Sequence, residues 1–140
     1  MNEKELVLSA IEARDMAYTP YSHFRVGAAL LTKTGKVYQG CNIENASYTP
    51  TNCAERTAFF KAVSEGEKEL RAIAIVGGDE NAKALVTCSP CGVCRQVMME
   101  FCDMDFSVIL GKRSEDGEIS WDVYTLEEIL PMGFGPKDLA

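Results

Sequence analysis

The chain has 140 residues, of which 46% are hydrophobic, and it carries a formal net charge of −7. This size and composition suffice for one compact domain with a hydrophobic core, so we expect residues 1–140 to form a single domain. No run reaches the roughly 18 apolar residues of a membrane span, and the acidic N-terminal segment is unlike a signal peptide, so we expect a cytoplasmic protein without a membrane partner. An acidic chain without a Lys/Arg cluster repels phosphate backbones, which disfavours nucleic-acid partners and leaves small neutral molecules as ligands.

The first half of the chain predicts a helix, a β-hairpin and a second helix. Asn2, with Glu5 three residues later, is typical of a helix start, and apolar residues then recur at helical spacing. The apolar runs 26–31 and 37–41 flank a Lys-Thr-Gly-Lys turn, which predicts an antiparallel hairpin. A second helix is predicted over 53–64.

The second half predicts a strand, a helix and another strand, in that order. The first strand covers 72–76 and is closed by two glycines. Pro90 is expected to open the helix at its first position, with Ser89 as the cap. The next strand covers 106–110. A strand–helix–strand unit of this kind favours a parallel pair of strands with a right-handed crossover.

A last hairpin and a short helix complete the predicted elements. An Asp-Gly pair before residues 119–123 predicts a tight turn and hence an antiparallel strand. Thr125 and Glu128 form a capping box for a short helix. The sequence therefore predicts an α/β domain with three layers, in which helices flank one mixed sheet of five strands.

Three cysteines and a glutamate predict a metal site with a proton carrier. In a reducing cytoplasm the six cysteines are read as metal ligands or buried residues rather than as disulfides. Cys91 and Cys94 have the spacing of two ligands from one turn, and Cys53 begins another predicted helix. Helix N-termini stabilise thiolates, and three ligands on zinc leave a fourth position open for water. Glu55 is then placed to transfer protons, and the cation of Arg56 to offset the thiolate charge.

Two alternatives for these residues remain open at this point. Glu55 also completes an Asn52-x-x-Glu55 capping box, which would give it only a structural role. Cys88 lies three residues before Cys91, so it could extend an iron–sulfur run that lacks its fourth cysteine, or join Cys53 in a closed Cys₄ structural zinc site. We favour Cys88 as a core residue at a strand end.

The motifs together resemble those of the homotetrameric zinc-dependent cytidine deaminases, over nearly the whole chain. The blocks that carry the resemblance are Arg14-Asp15, Tyr18-Thr19-Pro20-Tyr21-Ser22, Phe24-Arg25-Val26-Gly27-Ala28-Ala29, Gly40-Cys41-Asn42-Ile43-Glu44-Asn45-Ala46, Cys53-Ala54-Glu55-Arg56 and Ser89-Pro90-Cys91-Gly92-Val93-Cys94-Arg95-Gln96. The resemblance implies hydrolysis of cytidine and deoxycytidine to uridine and deoxyuridine with release of ammonia, as part of pyrimidine salvage. It also implies one zinc ion per subunit, held by the three thiols, with Glu55 as the general acid and base.

The resemblance further implies a set of substrate contacts. Phe24 would pack against the pyrimidine ring, and Asn42 and Glu44 would bind the ribose hydroxyls. The backbone at Ala54 and Ser89 would contact the edge of the cytosine. A carboxylate beside the sugar would also repel a 5′-phosphate, which favours nucleosides over nucleotides.

The resemblance finally implies a homotetramer with shared active sites. Phe134 resembles an aromatic residue that a neighbouring subunit contributes, and Tyr48 would lie at the same boundary. One rival within the family is a deaminase of modified cytosine nucleosides such as blasticidin S, against which Glu44 argues. A rival of another class is a non-catalytic Cys₄ metal protein.

Overall fold

The computed structural model describes residues 1–140, and one five-stranded sheet organises them. In chain order the strands are β1 Phe24–Thr32, β2 Val37–Cys41, β3 Leu70–Asp79, β4 Ser107–Arg113 and β5 Ile119–Thr125. Their order in the sheet is β2-β1-β3-β4-β5. Only β3 and β4 run parallel, while the other neighbours are antiparallel, so the mixed sheet is confirmed.

Helices cover both faces of the sheet. They are α1 Glu3–Arg14, α2 Ala54–Ser64, α3 Gly92–Phe101 and α4 Leu126–Ile129, followed by a 3₁₀ turn over Pro136–Asp138. Side chains alternate along β1, so that Ala28 and Leu30 join the core under α2, α3 and α4, whereas Ala29 and Leu31 join the core under α1. The predicted three-layer arrangement is confirmed. No helix combines the length and the apolar character that crossing a membrane requires.

The two predicted capping boxes are present. Asn2 accepts a hydrogen bond from the backbone N–H of Glu5, and the Glu5 side chain accepts one from the backbone N–H of Asn2. Thr125 and Glu128 make the same reciprocal pair at α4. These signals are local in sequence, which is why they could be read without tertiary information.

Strand β3 is longer than predicted. The sequence placed its end before the two glycines, but Gly77 and Gly78 lie within the strand and pair with Val26 and Arg25 of β1. A Cβ on Gly77 would lie 2.7 Å from the sulfur of Cys88. Glycine is present here because a side chain has no room, not because the strand ends.

The start of α3 was also predicted wrongly. The helix begins at Gly92 with Cys91 as its N-cap, not at Pro90 with Ser89 as its cap. Cys53 is likewise the N-cap of α2. Two cysteines therefore occupy equivalent positions at the starts of two helices.

Candidate active site

Three thiols converge where the N-termini of α2 and α3 meet. The sulfurs of Cys53 and Cys91 are 3.8 Å apart, those of Cys91 and Cys94 are 3.6 Å apart, and all three lie within 4.8 Å of one another. Tetrahedral zinc with sulfur at about 2.3 Å requires sulfur–sulfur distances of about 3.8 Å. The three cysteines are thus positioned to bind one zinc ion with a fourth position free. Cys88 lies outside this cluster, which disfavours the closed Cys₄ alternative.

The thiols have different affinities for protons. The pKa of Cys53 is lowered to about 5, chiefly because the Cys94 thiol hydrogen-bonds to its sulfur, and further by Arg56. The Arg56 Nη2 group donates to the Cys53 sulfur at 3.3 Å. The pKa of Cys94 is raised, because it hydrogen-bonds to Cys53 and because it is buried. Negative charge in the metal-free cluster therefore develops first on Cys53, beside the guanidinium.

Glu55 is a buried carboxyl in the first turn of α2. Its side chain is only 4% exposed, and its pKa is raised to about 7, mainly by burial and then by the negative charge of Cys53. The capping-box alternative is not realised, because α2 begins with no side-chain cap and the Asn52 amide donates to the hydroxyl of Thr57. A carboxyl with this pKa can both accept and release a proton near neutrality.

The site extends from the three thiols past Cys88 to Phe24. Cys88 and Phe24 both pack against Gly77, with the Cys88 sulfur and the Phe24 ring edge at 2.7 and 3.2 Å from where a Cβ would be. The pKa of Cys88 is raised to about 11, mainly by burial and then by the negative charges of Glu55 and Cys53. Cys88 is therefore a half-buried loop residue between the cluster and Phe24, not the strand-end residue that the sequence suggested.

Asn42 and Glu44 both bind the segment that contains Phe24. The Asn42 Oδ1 atom accepts from the backbone N–H of Val26 at 2.8 Å, and its Nδ2 donates to the carbonyl of Phe24 at 2.9 Å. Glu44 accepts hydrogen bonds from Tyr21 and Ser22 of the same segment. The side chains of Asn42 and Glu44 lie on the same side of the chain, as expected for residues two positions apart in an extended segment.

A cavity of about 420 Å³ opens beside Glu44. It is lined by Tyr21, Ser22, Glu44, Asn45, Tyr48 and Thr51. The structure therefore places Tyr48 near the proposed sugar contact, and its side chain is 78% exposed.

The remaining predicted residues lie at the two helix starts and in the C-terminal segment. Ala54 is fully buried as the first residue of α2, and Ser89 is exposed just before Cys91. Phe134 is 59% exposed, and its carbonyl accepts a hydrogen bond from the Gln96 side chain of α3 at 2.7 Å. One chain thus leaves both Tyr48 and Phe134 largely open to solvent.

Comparison with known proteins decides the family. Residues 1–110 match the family model described as the cytidine and deoxycytidylate deaminase zinc-binding region. The chain belongs to the cytidine deaminase family. Among curated cytidine deaminases, that of Halalkalibacterium halodurans is 49% identical over 99% of this chain and 98% of its own length, and that of Sporosarcina psychrophila is 46% identical over 100% and 96%.

Solved cytidine deaminase structures share the fold. The crystal structure from Burkholderia pseudomallei has a TM-score of 0.82 at 44% identity and covers 96% of this chain and 100% of its own. The structure from Mycobacterium tuberculosis has a TM-score of 0.77 at 35% identity, with 96% and 98% covered. Because the family's region is zinc-binding and the three thiols have zinc spacing, zinc is the metal of this site.

Two residues contribute to the site although no role could be assigned to them from the sequence. Arg14 is buried, and its guanidinium donates to the carbonyls of Arg25, Gly78 and Asp79, which fixes the end of β3 beside Phe24. The available signal in the sequence was the position of Arg14, a charged residue on the apolar face of α1. Ser22 was quoted within a motif, but the carboxylate that it contacts, Glu44, lies 22 positions away in sequence, so no role could be assigned to it.

Proposed function

We propose that this chain is a zinc-dependent cytidine deaminase, which converts cytidine and deoxycytidine to uridine and deoxyuridine and releases ammonia. The observation that carries the proposal is the group of three thiols at zinc spacing beside the buried carboxyl of Glu55. High identity to curated cytidine deaminases over almost the full chain supports the same substrate class.

Glu55 carries the protons of the reaction. The overall change adds one water at C4 of the ring and releases the amino group as ammonia. Zinc, held by the three thiolates, supplies Lewis-acid polarisation that lowers the pKa of water. The Glu55 carboxylate would take one proton from that water and pass it to N3, and it would then take the proton left on the hydroxyl added at C4 and pass it to the departing amine. Its raised pKa suits both directions of transfer.

The other residues bind and orient the nucleoside. Phe24 packs against the pyrimidine, Asn42 and Glu44 bind the ribose hydroxyls, and the backbone at Ala54 and Ser89 contacts the cytosine edge. The position of Phe24, two residues from Ser22 and held at its carbonyl by Asn42, supports a shared base-and-sugar pocket.

Arg56 balances the charge of the metal centre. Three thiolates on a divalent ion leave one net negative charge, which weakens the pull of the metal on water. The Arg56 guanidinium donates to the Cys53 sulfur and so withdraws electron density from that ligand. We assign Arg56 this tuning role rather than a contact with substrate.

We propose further that residues 1–140 act as a single catalytic domain in the cytoplasm and assemble as a homotetramer with shared sites. Phe134 and Tyr48 would be contributed at subunit boundaries. The high exposure of both aromatic rings in one chain supports this arrangement, because a subunit boundary would cover them.

The decisive experiment is ammonia release from cytidine by the zinc-loaded protein and by its Glu55→Ala variant. We expect the variant to retain zinc but lose activity by about 10³-fold or more, since general acid–base catalysis contributes on the order of 10² to 10⁴. Glu100→Ala, which removes an exposed carboxylate from α3, is the matched control and should behave as the parent.

Two outcomes would contradict the proposal in different ways. Retained activity in Glu55→Ala would remove its proton-carrying role. A parent that releases no ammonia from cytidine, at full zinc content, would direct attention to modified cytosine nucleosides and then to a purely structural metal.

A further inference from the structure

Ser22 connects two parts of the proposed substrate pocket through one hydroxyl. Its Oγ donates a hydrogen bond to the Oε2 atom of Glu44. The same Oγ accepts a hydrogen bond from the backbone N–H of Phe24 at 3.0 Å. The backbone N–H of Ser22 also donates to Oε1 of Glu44 at 3.1 Å. The sugar-binding carboxylate and the ring-binding aromatic are thus held by the same residue.

The loop around Ser22 is fixed on both sides. His23 adopts a left-handed conformation with φ of 59°, which is uncommon for a residue with a side chain. The His23 N–H donates to the carbonyl of Thr19 at 3.0 Å, and its own carbonyl accepts from the N–H of Glu80 at 2.8 Å. These bonds hold the chain reversal that brings the Phe24 N–H to the serine hydroxyl.

The hydrogen bonds to Glu44 leave a defined acceptor site. Tyr21 N–H at 3.0 Å and Ser22 N–H both donate to Oε1, while the Ser22 hydroxyl donates to Oε2. A carboxylate offers about four lone-pair sites, two on each oxygen. Oε1 is therefore saturated, and the vacant site on Oε2 is the one that can accept a sugar hydroxyl. The Ser22 hydroxyl is also the main cause of the lowered pKa of Glu44, which keeps it a carboxylate.

We propose that Ser22 is a positioning residue that sets affinity for the ribose hydroxyls by orienting the free acceptor site of Glu44 and fixing the backbone of Phe24. The inference rests on the proposed function, because it requires a nucleoside in this pocket. Ser22 acts through Glu44 and Phe24 and takes no part in proton transfer. Its loss should therefore weaken binding of the sugar while the chemical step is preserved.

The first experiment measures binding without turnover. Isothermal titration calorimetry with the product uridine and with 2′,3′-dideoxyuridine compares the parent with Ser22→Ala, Glu44→Ala and the double variant. We expect Ser22→Ala to raise the Kd for uridine by about 10-fold, which is the size of one charge-assisted hydrogen bond. The Kd for dideoxyuridine should rise by a clearly smaller factor, because only the contact with the Phe24 backbone is then lost. Ser22→Ala should add only that smaller factor in the Glu44→Ala background.

Two further variants separate positioning from a general structural effect. Ser22→Thr retains a hydroxyl and should restore binding to within about 3-fold of the parent. Ser114→Ala is the matched control, since Ser114 also donates to a carboxylate, that of Asp116, and accepts from a backbone N–H, but in the distant β4–β5 hairpin. It should leave both dissociation constants unchanged. Zinc content and urea unfolding establish that each variant is folded.

Kinetics with cytidine complete the test. Ser22→Ala should raise KM and leave kcat within about 2-fold, as loss of uniform binding requires. Equal weakening of uridine and dideoxyuridine, or full additivity with Glu44→Ala, would overturn the proposal, as would failure of Ser22→Thr to restore binding. A parent that binds uridine without deaminating cytidine would refute the proposed function alone, whereas a parent that binds neither nucleoside would refute both.

Discussion

Two side chains separated by one residue have their pKa values moved in opposite directions. Burial raises the pKa of Glu55 to about 7, whereas the Cys94 thiol and Arg56 lower the pKa of Cys53 to about 5. The carboxyl is thereby able to hold a proton at the pH at which the thiol has already lost one. Proton transfer requires a carboxyl with a raised pKa, and metal binding requires a thiol with a lowered pKa. The local environments of Glu55 and Cys53 meet these two requirements.

This difference predicts selective alkylation of the metal-free protein. At pH 6 a thiol with a pKa near 5 is about 90% thiolate, and the thiolate is the reactive form. We expect iodoacetamide to modify Cys53 first and to leave Cys88, whose pKa is raised, largely unmodified. Mass spectrometry of the labelled peptides measures the rates.

Two controls accompany the alkylation. Arg56→Gln should slow labelling of Cys53 at pH 6, because a cation that favours the thiolate has been removed. Zinc-loaded protein should protect all three ligands. Faster labelling of Cys88 than of Cys53, or no effect of Arg56→Gln, would contradict the assigned charge distribution.

At the scale of elements, the site depends on how closely α2 approaches the sheet. A Cβ on Gly40 of β2 would lie 2.3 Å from the carbonyl oxygen of Ala54 and 2.5 Å from the N of Ala58. The backbone of α2 therefore rests directly on β2. Because α2 begins beside Cys53 and contains Glu55, this contact sets the position of one of the three thiols and of the carboxyl.

Gly40→Ala should consequently disturb both stability and zinc binding. Overpacking a tight contact costs about 1 to 3 kcal/mol, and here the methyl group meets helix backbone that cannot rotate away. Urea unfolding should show a loss in that range, and competition with a chelator should show weaker zinc binding.

Gly92→Ala is the matched control for this prediction. Gly92 is the first residue of α3, and a Cβ there meets nothing within 4 Å. Alanine is the better helix former by up to about 1 kcal/mol, so stability should stay level or rise. Equal destabilisation by the two substitutions would contradict the role given to the α2–β2 contact.

At the scale of the whole molecule, the single chain leaves aromatic residues of the proposed pocket uncovered. Phe134 is 59% exposed and Tyr48 is 78% exposed, and Tyr48 adopts a left-handed φ of 60°. The proposed tetramer would cover such rings at subunit boundaries. It would also make each pocket depend on a neighbouring chain.

Light scattering should therefore give the mass of four chains of 15.4 kDa each. Mixed oligomers test the shared site directly. Glu55→Ala and Phe134→Ala should each be impaired alone and should regain activity when they are co-assembled. In the mixed oligomer, a Glu55→Ala subunit supplies its Phe134 to the site of a Phe134→Ala subunit, which retains Glu55. A monomer in solution, or no recovery in the mixture, would place Phe134 outside the site.

The sequence by itself determined the elements and the metal ligands of this protein. The capping pair Asn2 and Glu5 lies within one helical turn, and Cys91 and Cys94 are three residues apart, so short-range spacing was enough to read them. Short apolar runs bounded by turn residues predicted the strands for the same reason. Cys53 joined the set because it begins a second predicted helix, whose N-terminus stabilises a thiolate.

Contacts between distant residues decided the rest. Strand β3 continues through Gly77, where the Cys88 thiol occupies the space that a side chain would need. Ser22 contacts Glu44, which lies 22 positions away in sequence. The sulfur–sulfur distances and the burial of Glu55 likewise exist only once α2 and α3 pack on one sheet. Local spacing cannot encode such distances, because they depend on how the packed layers bring separate segments together.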